Sequence, residues 1–269
     1  MRPYKRMAVP LSSNLTYEKR GKVAWIQLCR PDSGNRLTPT MAEELTAHCQ
    51  TVEEDDELAL TVLTGSGSAF CLGLEYPADK KGAATAQVIQ AQFGELRCVE
   101  TLAAITKPTL AVLNGDALGF GLELALACDL RLAIEGSHFG LPQVTHGLTP
   151  FGGSTQRLPR VVGQAKALEL ILTGESIDAT EAQRIGLLTI VAPTATFTTR
   201  VDEVVQNLLE KGPIALRLGK EAVHKAMDLT LDQGLRLEED LYALLQTTRD
   251  RAEGIQAFLG KKKPTFTGQ

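Results

Sequence analysis

No apolar run in this 269-residue sequence approaches the ~18 residues of a membrane span. A basic excess is also missing. The formal net charge is −4, which argues against a non-specific nucleic-acid binder. Five cysteines, Cys29, Cys49, Cys71, Cys98 and Cys128, form no C-x-x-C pair. An odd count without such pairs reads as reduced thiols in a cytoplasmic compartment. His48, His138, His146 and His224 lack metal-ligand spacing. No G-x-S-x-G elbow is present. Gly65-Ser66-Gly67 opens like a dinucleotide fingerprint, but the third glycine is absent. Gly260-Lys261 lacks the spacing of a phosphate-binding loop, and Lys262 is neither Ser nor Thr. Neither a metal nor a redox cofactor is therefore expected.

What remains is ordinary for a soluble globular protein, with 43% apolar and 22% charged residues. The length suits one large domain with a real core, or a core plus a small appendage. Residues 1–14 carry Arg2, Lys5 and Arg6 and no acid. They are too few for a transit peptide, and a flexible N-terminal extension is expected.

Short β-rich runs at Val23–Leu28, Leu60–Leu63 and Thr109–Leu113 alternate with helical patterns. Leu37, Met41, Leu45, Cys49 and Val52 form a helical stripe, with Thr38 as its N-cap and Pro39 at the first helical position. Such alternation predicts an α/β class with right-handed crossovers. Further strands are predicted at Leu130–Ile134 and Leu187–Val191. The second half reads as helical. Gln164–Thr173 stops at Gly174, and Asp178 with Glu181 starts another helix that Gly186 ends. Val201–Leu209, Ile214–Met227 and Gly234–Arg249 are further helix candidates. Leu231, Leu235, Leu241, Leu244 and Leu245 form an apolar stripe that packs either on the core or on another subunit.

Two glycine-containing turns each follow a strand: Gly65 to Leu74, and Asn114 to Leu124. The second runs straight into an apolar helix, Leu122–Cys128. A helix start presents unpaired N–H groups and the positive end of a dipole. Glycines let that backbone approach a ligand closely. Two such turns facing each other could aim two N–H donors at one oxygen, which stabilises an enolate or oxyanion. Ordinary tight turns fit the same residues. Glu123 stands in the first turn of that apolar helix. A carboxylate buried there would have a raised pKa, useful for proton transfer; favouring the helix dipole is the other reading.

The stretch Asn114-Gly115-x-Ala117-x-Gly119-x-Gly121-x-Glu123-Leu124, then Cys128-Asp129, resembles the signature of the crotonase (enoyl-CoA hydratase/isomerase) family. So do Phe139-Gly140-Leu141-Pro142, Gly147-Leu148-x-Pro150 and Gly152-Gly153-x-Thr155-Gln156-Arg157-Leu158. Arg30-Pro31, Asn35 and Leu37 match before them. Leu172-Thr173-Gly174, Ala182, Gly186-Leu187, Glu253 to Phe258, and Lys263-Pro264-x-Phe266 match after them. The resemblance runs from about Tyr17 to the end.

The resemblance implies a spiral of ββα units over 15–200 that carries an acyl-CoA site. It also implies a C-terminal helical region over 201–269 that builds homotrimers, often stacked as hexamers. The N–H groups of Leu74 and Phe120 would form the oxyanion hole. Glu123 would be the catalytic carboxylate. Leu118, Gly121, His146 and Phe151 would line the acyl group. Leu72, Gly73, Lys263 and Phe266 would contact coenzyme A, which enters only as part of the substrate.

Four positions depart from the family pattern. Gln143 stands where a second catalytic glutamate is expected. It can orient water or substrate, but it cannot shuttle a proton. Phe120 and Phe151 replace glycines and would reshape the acyl pocket. Glu75 replaces an aspartate. His146 and Asp116 are unusual polar groups near these loops. They either compensate for the lost carboxylate or serve as ordinary loop residues, as does Tyr76. The expected activity is addition or removal of water at the α/β carbons of an acyl-CoA. A crotonase-type decarboxylase or hydrolase, or a non-catalytic thioester-binding paralogue, is the alternative.

Overall fold

The structure is a computed structural model that describes residues 14–75 and 97–269. The expected extension over 1–14 (apart from Asn14) and Tyr76 lie outside the described residues. Two sheets organise the chain. In the larger, β1 (Leu15–Arg20) pairs antiparallel with β2 (Val23–Leu28). The strands β3 (Leu60–Gly65), β5 (Thr109–Leu113), β7 (Leu130–Ile134) and β10 (Ile190–Ala192) then add in parallel. The smaller sheet runs β4 (Ala69–Cys71), β6 (Asp116–Leu118), β8 (His138–Gly140) and β9 (Ser176–Asp178).

Three strands of the large sheet are each followed at once by a short strand of the other sheet: β3 by β4, β5 by β6, β7 by β8. This alternation is the spiral of ββα units that the resemblance implies. Residues facing one way from the large sheet, such as Ile26, Leu63, Ala111 and Ala133, join the core against the small sheet. Those facing the other way, such as Leu60, Val62, Leu110 and Leu132, are covered by Phe197, Val201 and Val205 of α6 (Phe197–Leu209). Both faces are buried, so the strands read as continuous apolar runs.

The first helix, α1 (Pro39–Glu54), starts where the sequence predicts, with the Thr38 hydroxyl accepting from Met41 N–H. α2 (Phe120–Ala127) begins two residues earlier than expected, and all eight of its residues are buried. Its last carbonyls are capped by Arg131, whose guanidinium donates to Cys128 O over 2.7 Å. α3 (Ser154–Val162) and α4 (Gln164–Thr173) follow, and α4 stops at Gly174 as predicted. In α5 (Ala179–Arg184) the Asp178 carboxylate accepts from Glu181 N–H over 2.8 Å, as the spacing implies.

Two expectations need correction. The strand predicted at Leu187–Val191 is β10, Ile190–Ala192. Leu187 and Leu188 are apolar because they fill the core before the strand begins. The helix predicted over Gly234–Arg249 is α8 (Leu231–Gln246), which starts and stops three residues earlier, and a separate helix, α9 (Arg249–Leu259), follows it. The hydroxyls of Thr247 and Thr248 bond back to Leu244 and Leu245 carbonyls, and Thr248 also caps α9 through Arg251 N–H. α6, which the boundary expected at 200/201 crosses, packs on the large sheet. α7 (Pro213–Lys225) carries Pro213 at its first turn.

Candidate active site

The two glycine turns meet. Residues 72–75 run beside 34–37, with Leu37 N–H donating to Gly73 O and Glu75 N–H donating to Leu37 O, each over 2.9 Å. In this parallel bridge Leu37 is paired with Leu74. Leu37 bonds to residues 73 and 75, so the N–H of Leu74 itself points away from that segment. Gly73 has φ +103°, which favours glycine. A methyl on Gly73 would lie 3.9 Å from the Phe120 nitrogen. Phe120 opens α2, so its N–H is one of the first-turn donors without an intrahelical partner. Gly119, φ +55°, turns the chain from β6 into that helix. Bulk at Gly121 is excluded by the backbone: a methyl there would sit 2.0 Å from Cys71 O. That packing fixes α2 against β4.

Asparagines lace these turns together. Asn114 accepts from Gly65 N–H over 2.9 Å and donates to Gly67 O over 2.9 Å. Asn35, fully buried with φ +54°, accepts from Arg30 N–H and donates to Ser66 O and Ala69 O, each over 2.8 Å.

Glu123, on the first turn of α2, is completely buried. Its Oε1 accepts the Ser154 hydroxyl over 2.9 Å and the Ser154 N–H over 3.4 Å. Its Oε2 accepts from Gln143 Nε2 over 3.3 Å. Burial pushes the Glu123 carboxyl above its ordinary range, while the Ser154 hydroxyl and N–H, the Gly152 N–H and the nearby Arg157 charge pull it back. The other amide atom, Gln143 Oε1, is buried without a partner among the described residues. A buried acceptor in that condition is costly unless something fills it.

Aromatic rings close one side. Phe120 and Phe151 lie with ring centroids 5.5 Å apart, tilted by 40°. A methyl on Gly152 would come within 3.1 Å of Phe120 Cε2 and 3.0 Å of Glu123 Cδ. The glycine therefore lets ring and carboxylate sit against one loop.

The structure thus brings Gly73, Leu74, Leu118, Phe120, Glu123, Gln143 and Phe151 together. His146 is exposed and bonds to Thr145 Oγ1 over 3.0 Å. Asp116 accepts His138 N–H over 2.7 Å, and Glu75 pairs with Arg30. None of these three replaces a carboxylate beside Glu123; Gln143 occupies that place. Leu72 lies over Gly34. Lys263 pairs with Glu210 over 2.5 Å, and Phe266 packs against Gly212 and Gly254, so within one chain both have structural partners in the C-terminal helices. Sequence reasoning missed Ser154. Its signal was a hydroxyl at the open position of Gly152-Gly153-x-Thr155, where a helix begins.

Comparisons agree with this architecture. The family described as enoyl-CoA hydratase/isomerase matches residues 18–269. A 2,3-dehydroadipyl-CoA hydratase of Escherichia coli is 36% identical over 96% of this chain and 100% of its own. A crotonyl-CoA hydratase of Syntrophomonas wolfei is 37% identical over 94% of this chain and 97% of its own. The crystal structure of an enoyl-CoA hydratase from Bacillus anthracis superposes with a TM-score of 0.91 at 36% identity, covering 95% of this chain and 100% of that one. With the matching residues and the matching spiral, the chain belongs to the enoyl-CoA hydratase/isomerase family.

Proposed function

We propose that this protein is an enoyl-CoA hydratase, adding water to a 2-enoyl thioester of coenzyme A or removing it from the 3-hydroxyacyl thioester. Backbone N–H groups of Leu74 and Phe120 hold the thioester carbonyl oxygen. As a water oxygen bonds to the β carbon, the double-bond electrons move onto the thioester carbonyl oxygen, giving an enolate. Glu123 takes the proton that the water loses. The same proton passes to the α carbon as the enolate collapses, and the carboxylate is restored. Atoms and charge balance without a redox partner, and coenzyme A enters only as the carrier of the substrate. Donors aimed at developing charge contribute roughly 3–4 kcal/mol each.

One observation carries this reading. Glu123 is fully buried at the junction of the two turns, and beside it the Gln143 Oε1 has no partner among the described residues. An acceptor there suits a water that donates one hydrogen to Gln143 and the other to Glu123. Oriented this way, the water presents a lone pair to the β carbon. One carboxylate then serves where the family pattern has two.

The test is crotonyl-CoA turnover, followed by loss of the conjugated enoyl-thioester absorbance. Glu123→Gln is expected to lower kcat by about 10²–10⁴-fold. Thioester binding without turnover by the wild type would overturn hydration and favour the decarboxylase or hydrolase alternative.

The same proposal extends to assembly. Val223, Leu231, Phe258 and Leu259 on the C-terminal helices, with Met227 in the turn after α7, are 64–83% exposed in one chain. A homotrimer, stacked as a hexamer, would cover them. A cytoplasmic location is the reading that five cysteines without a C-x-x-C pair support. Among the described residues no helix is long and apolar enough to cross a membrane.

A further inference from the structure

Ser154 is the first residue of α3 and is completely buried. A serine at a helix start usually spends its hydroxyl on the helix's own backbone. Here the N-cap of α3 is Gly153, which has no side chain, and Ser154 takes the first helical position. The Ser154 hydroxyl turns instead to Glu123 Oε1, at 2.9 Å, and the Ser154 N–H reaches the same oxygen at 3.4 Å. Gly153, with φ +93°, sets this turn, and the Arg157 guanidinium bonds to Gly152 O over 3.0 Å. Oxygen Oε1 therefore faces a hydroxyl, an amide and a helix N-terminus together. Oxygen Oε2 accepts from the amide of Gln143, at 3.3 Å.

We propose that Ser154 is a positioning residue for Glu123: its hydroxyl ties Oε1 to α3, so that Oε2 alone exchanges protons with water and substrate. The proposal rests on Glu123 being the acid–base group of the hydratase reading. Two carboxylates can divide the tasks of orienting water and moving its proton. With Gln143 in the second place, a single carboxylate has to keep one orientation through both proton transfers. A donor fixed on one oxygen does that by removing the side-chain rotation that would exchange the two. It also favours the charged form, since hydrogen bonds to a carboxylate stabilise the anion.

The other ionisable groups around Glu123 leave this role to Ser154. Arg157, on α3, acts on Glu123 through its charge. Cys71, on β4, is buried, its thiol is pushed up to about 11, and its Sγ–H donates to Gly73 O. Asp116, on β6, is engaged with His138, and His146 is bonded to Thr145.

The experiment compares wild type, Ser154→Ala and Ser154→Thr. Two readouts are taken: the pH profile of kcat and KM for crotonyl-CoA, and the ¹³C titration of the Glu123 carboxyl, assigned by its loss in Glu123→Gln. In Ser154→Ala the Glu123 midpoint is expected to rise by about one pH unit, a tenfold change in ionisation. The acid limb of kcat moves up with it, while KM stays near the wild-type value. Ser154→Thr, which keeps the hydroxyl, is expected to restore both. A midpoint unmoved in folded Ser154→Ala overturns the proposal. So does Ser154→Thr behaving like Ser154→Ala. Should Ser154→Ala fail to fold, Ser154→Cys, near in size and a weak donor, carries the same expected rise. If the wild type does not hydrate crotonyl-CoA, the hydratase reading falls. The carboxyl titration still decides whether Ser154 governs Glu123.

Discussion

The side-chain amide of Gln143 donates to Oε2 of Glu123 over 3.3 Å, across the gap between a 3-10 turn (Pro142–His146) and the first turn of α2. The same amide lies against Gly119, where a methyl would meet its nitrogen at 3.7 Å. Gln143 is thus held between the carboxylate and the N-terminus of α2. An amide there offers an NH2 donor group on one side and a carbonyl acceptor on the other, and releases no proton.

Replacing that amide by a carboxylate tests the arrangement. Gln143→Glu would set two acids in hydrogen-bond reach inside a buried site. Like charges so placed share one proton and titrate as a pair, with one of the two steps raised. The acid limb of the kcat profile is therefore expected to move to higher pH than in the wild type. Kinetics across pH with crotonyl-CoA check this. A profile that superimposes on the wild type would show that residue 143 does not face Glu123 in the working enzyme.

Much of this architecture was legible because single residues act as punctuation. Thr38 and Pro39 mark the start of α1, Asp178 caps α5, and Gly174 ends α4. The strands of the small sheet were not legible. Each is three residues long, too short for an alternating pattern to emerge. The break between α8 and α9 was hidden because two threonines interrupt the helix without glycine or proline. In the site, Glu123 and Gln143 could be placed by their surrounding motif. Ser154 could not, because its partner lies 31 residues away and only the folded α2–α3 contact joins them.

Asp129, just past α2, ties the catalytic helix to the C-terminal region. It accepts from Thr109 N–H over 2.7 Å, pairs with Lys220 Nζ over 2.7 Å and meets His224 Nε2 over 2.9 Å. Burial opposes its charge, but the bonds from His224 and Lys220 outweigh this and hold the carboxyl below its ordinary range. A depressed folded-state value means a stabilising contribution that is complete above the unfolded pKa. It is lost as the pH falls through the lower folded value. Asp129→Ala should therefore cost about 3 kcal/mol at neutral pH, the low end for breaking a buried pair. The cost should shrink in acid below the ordinary carboxylate range. Denaturant unfolding of both proteins at several pH values checks the sign. An undiminished difference in acid would contradict it.

The last prediction concerns the leucine stripe that the sequence left open between core and interface. Within one chain, Leu231, Leu235 and Leu244 of α8 are 80%, 51% and 55% exposed. They do not fill the core of their own chain, and exposed apolar area on this scale marks an interaction surface. Leu235→Asp with Leu244→Asp is expected to leave the helical signal of the monomer intact, because neither side chain is buried within it. A trimer or hexamer would dissociate, since two unpaired carboxylates would then be buried at each contact. Light scattering with size-exclusion chromatography reads the mass. Dissociation to the 29.0 kDa chain assigns the stripe to the subunit interface, whereas an unchanged oligomer moves the interface to another surface of the chain.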